Sequence, residues 1–190
     1  MKTRKVQVYQ FEELEGNALE NAKKEMMERQ EEYSEWHFWN YGEEFLNNEL
    51  EYFGLDCTGL EFGLYPAHIK ASKVELSEGA VKIVCDLIPD DKKGLLPQGF
   101  DPKNIEMTVK NLYACEIEEY GEFELSDDAY EMIEDIAVKY VKEKLYESIC
   151  GLESDDQWFY SDEFRDELIS MNDIVFDKYG NIIDNDILEG

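Results

Sequence analysis

Between Ser126 and Gly151 the apolar residues Met132, Ile133, Ile136, Ala137, Tyr140, Val141, Leu145 and Ile149 recur at steps of three and four. That spacing lines one face of an α-helix, and a face so continuous has to be covered by a second layer. Ser126 or Asp127 caps the helix and Gly151 is expected to close it. The covering layer is read in the middle of the chain. Leu60–Leu64 alternates up to Pro66, Ile69–Leu76 and Ala80–Ile88 flank a turn at Ser77-Glu78-Gly79, and Ile105–Cys115 and Ala114–Phe123 look like one or two further strands. Pro89 to Pro102 reads as a loop.

The two ends extend the pattern. Lys5–Phe11 alternates as a strand would. Asn17 with Glu20 resembles a capping box, followed at helical spacing by Ala18, Leu19, Ala22, Met26, Gln30 and Tyr33. A second helix is expected over Glu35–Tyr52, burying Phe38, Phe45, Leu46, Leu50 and Phe53, with Gly54 as its stop. Ser161–Met171 reads as a short acidic helix, and Asp173–Phe176 with Asn181–Ile183 as a closing hairpin. The fold class is therefore α+β, a mainly antiparallel sheet with acidic amphipathic helices packed on it. No Pro/Gly/Ser-rich linker and no internal repeat divides residues 1–190, so a single domain is expected.

Charge limits function. With 46 Asp+Glu against 18 Lys+Arg the formal net charge is −28, which disfavours direct binding to nucleic acid or an anionic membrane. At 43% hydrophobic and 13% aromatic residues, the chain is nonetheless rich enough to build a core, unlike a disordered acidic tail. The charge is concentrated in two blocks, net −10 over residues 12–51 and net −15 over residues 116–167, around a nearly neutral middle. Solubility needs a magnitude of only about 2–8 for a small domain. Self-repulsion at −28 costs stability, so a use for the charge is sought.

Catalytic and metal signatures are weak. Cys57, Cys85, Cys115 and Cys150 are far apart and His37 and His68 are isolated, so free thiols are expected, with no metal and no cofactor. Asp177-Lys178-Tyr179-Gly180-Asn181 echoes a calcium loop but places Val175 at the first ligand position; a hairpin turn is the better reading. There is no nucleophile elbow and no phosphate-binding glycine loop. No activity as an enzyme is expected. The basic start Met1–Lys5 leads into Val6-Gln7-Val8-Tyr9, without a long apolar run, so neither a signal peptide nor a membrane span is expected. The expected compartment is the cytoplasm.

Two kinds of binding residue stand out. Glu28, Glu31 and Glu32 in the first block, and Asp127, Asp128, Glu131 and Glu134 in the second, are candidates for an acidic partner-binding surface. Trp36 and Trp39, in the dense run Tyr33–Tyr41, and Trp158, before the last helix, are candidates for an aromatic one.

Tyr9-Gln10-Phe11-Glu12-Glu13-Leu14, with Ala18 and Ala22 at helical spacing, resembles the opening of a family of poorly characterised phage and prophage proteins. Its members begin with a short Y-x-F-x-E-L strand leading into an Ala/Glu/Lys-rich helix. Phe159–Glu163, Glu167, Ile169, Asn172, Val175-Phe176, Asp177 and Gly180 resemble that family's closing helix and hairpin. The middle departs, with Gly63 and Pro66 in place of a Gly-Asp-Gly turn. The resemblance implies an α+β fold and a phage or mobile-element origin, hence a bacterial host cell; it implies no catalytic residues. By analogy with small acidic phage proteins, the expected function is inhibition of a bacterial defence complex of the anti-CRISPR or anti-restriction type. The acidic helices would mimic nucleic acid and occupy the basic surface of a nucleic-acid-binding protein or ribonucleoprotein. The alternative is a phage accessory or antitoxin-like protein-binding module that uses the aromatic clusters, with acidity serving solubility.

Overall fold

A computed structural model describes residues 7–64 and 66–183. Among these the fold is α+β: four α-helices, a four-stranded antiparallel sheet and two two-stranded hairpins. The chain divides into two compact units, residues 42–153 and residues 1–41 with 154–190. The divisions fall inside the two longest helices, α1 (Gly16–Tyr52) and α3 (Asp127–Trp158).

The unit of residues 42–153 is built on strands β1 (Leu55–Thr58), β4 (Lys73–Leu76), β5 (Ile105–Lys110) and β6 (Ala114–Glu119), in the order β1-β4-β5-β6. Between β1 and β4 the chain makes a separate hairpin, β2 (Glu61–Leu64) and β3 (Ala67–Lys70). One sheet face carries Leu55, Val74, Leu76, Met107, Val109, Cys115 and Ile117, all buried with Ile133, Ala137, Val141 and Leu145 of α3. Alternation along each strand sends Asp56, Glu75, Glu106, Glu116 and Glu118 to the exposed face.

Two features of this unit differ from the sequence reading. Ala80–Ile88 is not a strand: helix α2 (Glu78–Asp86) replaces it, and Ser77 is its N-cap, its Oγ accepting the Ala80 N–H at 3.3 Å. Ala80, Val81, Val84, Cys85 and Ile88 are buried, which is helical spacing, whereas a strand would have buried every second residue. The segment Ala80–Ile88 suits strand or helix by composition; burial of this face together with the Ser77 cap selects the helix. The expected strand Ile69–Leu76 is likewise two strands, broken at Ala71-Ser72, where the Ser72 N–H and hydroxyl both donate to the Thr58 carbonyl, at 3.0 and 2.7 Å.

Helix α3 is longer than expected: it passes through Gly151 and ends at Trp158. A helical glycine costs about 1 kcal/mol relative to alanine. Leu152, the next residue, buries its apolar side chain, and Asp156 one turn on accepts the Ser34 hydroxyl; these contacts outweigh that cost. The two helices expected over residues 17–52 are one helix of 37 residues, since neither proline nor glycine interrupts Tyr33-Ser34-Glu35. It stops before Gly54, which adopts a φ of +74°.

The other unit holds the N-terminal part of α1, the end of α3, helix α4 (Asp162–Met171) and the hairpin β7 (Val175–Phe176) with β8 (Ile182–Ile183). Its core is Phe11, Leu14, Ala22, Met26, Ile174 and Phe176. Of the expected strand Lys5–Phe11, the first two residues lie outside the described ones. The remainder contributes a single bridge, Tyr9 to Phe176, before a 3-10 turn at Phe11–Glu13. In the β7–β8 turn the Asp177 carboxylate accepts the Tyr179 and Asn181 N–H groups, at 2.8 and 3.0 Å, and the Asn181 amide at 2.8 Å. The segment is a hairpin turn, and its carboxylate is occupied by the chain's own donors.

Candidate functional site

Helix α1 has two unlike faces over residues 20–41. Ala22, Met26, Gln30 and Ser34 follow one another at four-residue steps and are buried. Glu28, Glu31, Glu32 and Glu35 occupy the opposite, exposed side. Lys24 reaches Glu28 at 3.4 Å, an exposed pair of little energetic weight. The buried face is tied down by polar contacts: Gln30 Nε2 donates to the Phe159 and Ser161 carbonyls, at 2.8 and 2.9 Å, and the Ser34 hydroxyl donates to Asp156, both residues buried. These bonds set the end of α3 and the start of α4 against α1, within one unit.

That arrangement merges the two aromatic clusters of the sequence into one site. Phe159 and Phe164 are buried and meet edge-on at 5.0 Å between ring centroids. Around this floor stand Tyr33, 5.4 Å from Phe159 and 5.1 Å from Phe164, and Trp158, 5.4 and 4.8 Å from the same two rings. Trp36 joins through Tyr33 at 5.7 Å and Tyr41 through Trp36 at 5.5 Å. His37 packs on Phe159 at 4.8 Å and on Tyr41 at 5.2 Å. The rim stays open: Trp36 is 50% exposed and Trp158 45%, while Trp39, one turn beyond Glu35 and in contact with Phe38, is 80% exposed. Tyr33 stands at helical spacing and Tyr41 in the dense run, but nothing in the sequence joins them, or Phe164, to Phe159. Their membership follows from the Gln30 and Ser34 bonds, which periodicity does not reveal.

The second acidic group is different in kind and lies in the other unit. Asp127, Asp128 and Glu131 are exposed in the first turns of α3, where the helix dipole favours negative charge. Glu134 is not a free surface carboxylate: half-buried, its Oε1 accepts the Cys115 N–H at 2.8 Å. With Tyr130, whose hydroxyl accepts from the Ile117 N–H at 3.2 Å and donates to the Cys115 carbonyl at 3.0 Å, it covers the outer edge of β6. Backbone groups that would otherwise template another strand are thereby used.

Among the described residues, no group of three or more His, Cys, Asp or Glu side chains is placed to hold a metal ion. No described helix is long and apolar enough to cross a membrane. The four cysteines are free, Cys85 and Cys115 buried, Cys57 and Cys150 partly so. Burial, reinforced by Asp56, pushes the Cys57 thiol up to about 11; burial with Asp86 does the same for Cys85, to about 11, and burial with Glu134 raises Cys115 to about 12. These three are poor nucleophiles at neutral pH. A groove of about 300 Å³ beside the aromatic rim, lined by Arg29, Glu32, Tyr33, Leu168, Asn172 and Ile174, is at the small end for a small-molecule site. Comparison with protein-family models, with curated proteins and with solved structures gave no match.

Proposed function

We propose that this chain is a non-catalytic inhibitor from a phage or mobile element, acting in the host cytoplasm on a bacterial defence complex of the anti-CRISPR or anti-restriction type. It occupies a basic nucleic-acid-binding surface of that complex. The observation that carries the reading is the exposed side of α1. Glu28, Glu31, Glu32 and Glu35 fall within about 10 Å of helix axis, one charge per about 3 Å, close to the ~3.4 Å per phosphate of a single nucleic-acid strand. A helix anchored by its opposite face holds these charges without the entropy cost of ordering a loop. Association with a cationic channel is then fast and salt-sensitive.

The experiment is capture of defence nucleases by the tagged chain, eluted with salt or with added nucleic acid, alongside Glu28→Lys/Glu31→Lys/Glu32→Lys. The reading expects inhibition of a captured nuclease, competition by nucleic acid, and loss of both in the reversed variant. Unchanged inhibition in that variant and in Asp127→Lys/Asp128→Lys/Glu131→Lys would sink the mimicry mechanism.

The open aromatic rim favours a second reading, a protein-binding module of the accessory or antitoxin type. Half-exposed tryptophans on a buried floor have the make-up of an interface hot spot. Binding that survives high salt and is lost in Trp36→Ala or Trp39→Ala would select it.

A further inference from the structure

We infer that the exposed side of α1 recognises arginine side chains of the partner specifically, through repeated carboxylate–indole pairs, and is not a general sink for cations. The inference rests on the nucleic-acid-mimic reading and names the chemistry of the surface it meets. Glu32 lies one turn before Trp36, and Glu35 one turn before Trp39, all four exposed on one helix. Side chains four residues apart on a helix are neighbours, about 5–6 Å between Cβ atoms. Each pair therefore offers an anion and a flat π face within reach of one planar group.

A guanidinium satisfies both at once: it stacks on the indole and directs its N–H fork at the carboxylate. An ammonium is a point charge that gains the Coulomb attraction without the stacking. The indoles are available for this. Trp39 is 80% exposed, and Trp36 keeps half its surface open while in contact with Tyr33 and Tyr41, at 5.7 and 5.5 Å between ring centroids. The Asn40 side-chain amide donates to the Trp36 carbonyl at 2.6 Å. Charge complementarity identifies the occupant: a helix face bearing Glu28, Glu31, Glu32 and Glu35, on a chain of net charge −28, calls for a cationic segment. To that partner the face presents what a single strand presents, anions alternating with flat rings.

The test titrates the full chain with nona-arginine and with nona-lysine, at about 0.15 M salt, by calorimetry. Overall charge attracts both peptides equally, so the ratio of their affinities is the readout. Stacking of two guanidinium groups on the indoles, beyond the cation–π attraction that an ammonium also gains, predicts about tenfold tighter binding of nona-arginine. The ratio should fall toward one in Trp36→Ala/Trp39→Ala, persist in Trp36→Phe/Trp39→Phe, and be unchanged in Asp127→Asn/Asp128→Asn/Glu131→Gln. A ratio near one in the parent chain, or a ratio retained in the double alanine variant, overturns the inference. The mimic reading fails separately: arginine preference without any competition against nucleic acid would refute the mimicry while leaving this recognition standing.

Discussion

Gln30→Met tests whether the aromatic site depends on two hydrogen bonds hidden beneath it. Gln30 is buried, and its Nε2 donates to the carbonyls of Phe159 and Ser161 at 2.8 and 2.9 Å. Methionine matches glutamine in volume and helix propensity, so neither a cavity nor a weakened helix confuses the result. The Ser161 carbonyl retains the Arg165 N–H at 3.2 Å; it loses a second partner, worth about 0.5–1 kcal/mol. The Phe159 carbonyl, on a buried residue, loses its side-chain donor, and a buried acceptor left without one costs about 1–3 kcal/mol. The expected destabilisation is about 1.5–4 kcal/mol. Because all three tryptophans, Trp36, Trp39 and Trp158, lie in the same unit as Gln30, intrinsic tryptophan emission during urea unfolding reports that unit. With a slope of about 2 kcal/mol per molar urea, the midpoint should fall by about 0.8–2 M. A shift below about 0.3 M would show that these bonds do not hold the end of α3 on α1, and the account of how the site is assembled would fail.

Gly180→Ala should be the most damaging small substitution in that unit: Gly180 has a φ of +85°, and a Cβ there would overlap the Ala18 carbonyl oxygen and approach the Ala22 nitrogen to 3.0 Å. A loss of at least about 2 kcal/mol is expected, checked by the same urea titration. Glu134→Ala strips the acceptor from the Cys115 N–H at the edge of β6 and should cost about 1–2 kcal/mol by thermal unfolding, with increased aggregation on heating. Native Cys57, Cys85 and Cys115 should react slowly with a disulfide reagent at pH 8, where a thiol of pKa about 11 is only ~0.1% thiolate, and rapidly in denaturant. Because folding raises these pKa values, the stability they contribute is complete below the unfolded thiol value, about 8.5, and declines as pH climbs toward 11. The Asp177 carboxyl has the opposite sign. Burial opposes its ionisation, but the Asn181 side chain and the backbone N–H groups of the turn prevail and hold it below the usual range. The β7–β8 hairpin should therefore loosen as pH falls through that lowered value, seen as faster amide exchange at Tyr179 and Asn181.

The α+β class, strand character over Ile105–Glu119, the α3 and α4 starts and the closing hairpin were legible because each rests on local signals. A three-four apolar repeat, a serine before an acidic first turn, and an Asp-x-x-Gly turn act within a few residues. The carboxylates of α1 were legible too, since a charged row at helical spacing has to face water. Three other features depended on distant partners. Ala80–Ile88 has a composition that suits strand or helix, and burial against β4 and β5 together with the Ser77 cap selected the helix. Gly151 would end an isolated helix, yet α3 runs on because Leu152 and Asp156 find buried places beyond it. Glu134 reads as surface charge until β6 supplies the N–H that it accepts. The aromatic site belongs to this second kind. Its rings come from segments more than a hundred residues apart; Gln30 falls at the helical spacing of Ala22 and Met26 and Ser34 bears no mark, and nothing local shows the distant partners these two polar residues bind. Periodicity determines which residues share a face; only the closed tertiary structure decides which faces meet, because that choice is made by hydrogen-bond partners and buried surface contributed from elsewhere in the chain.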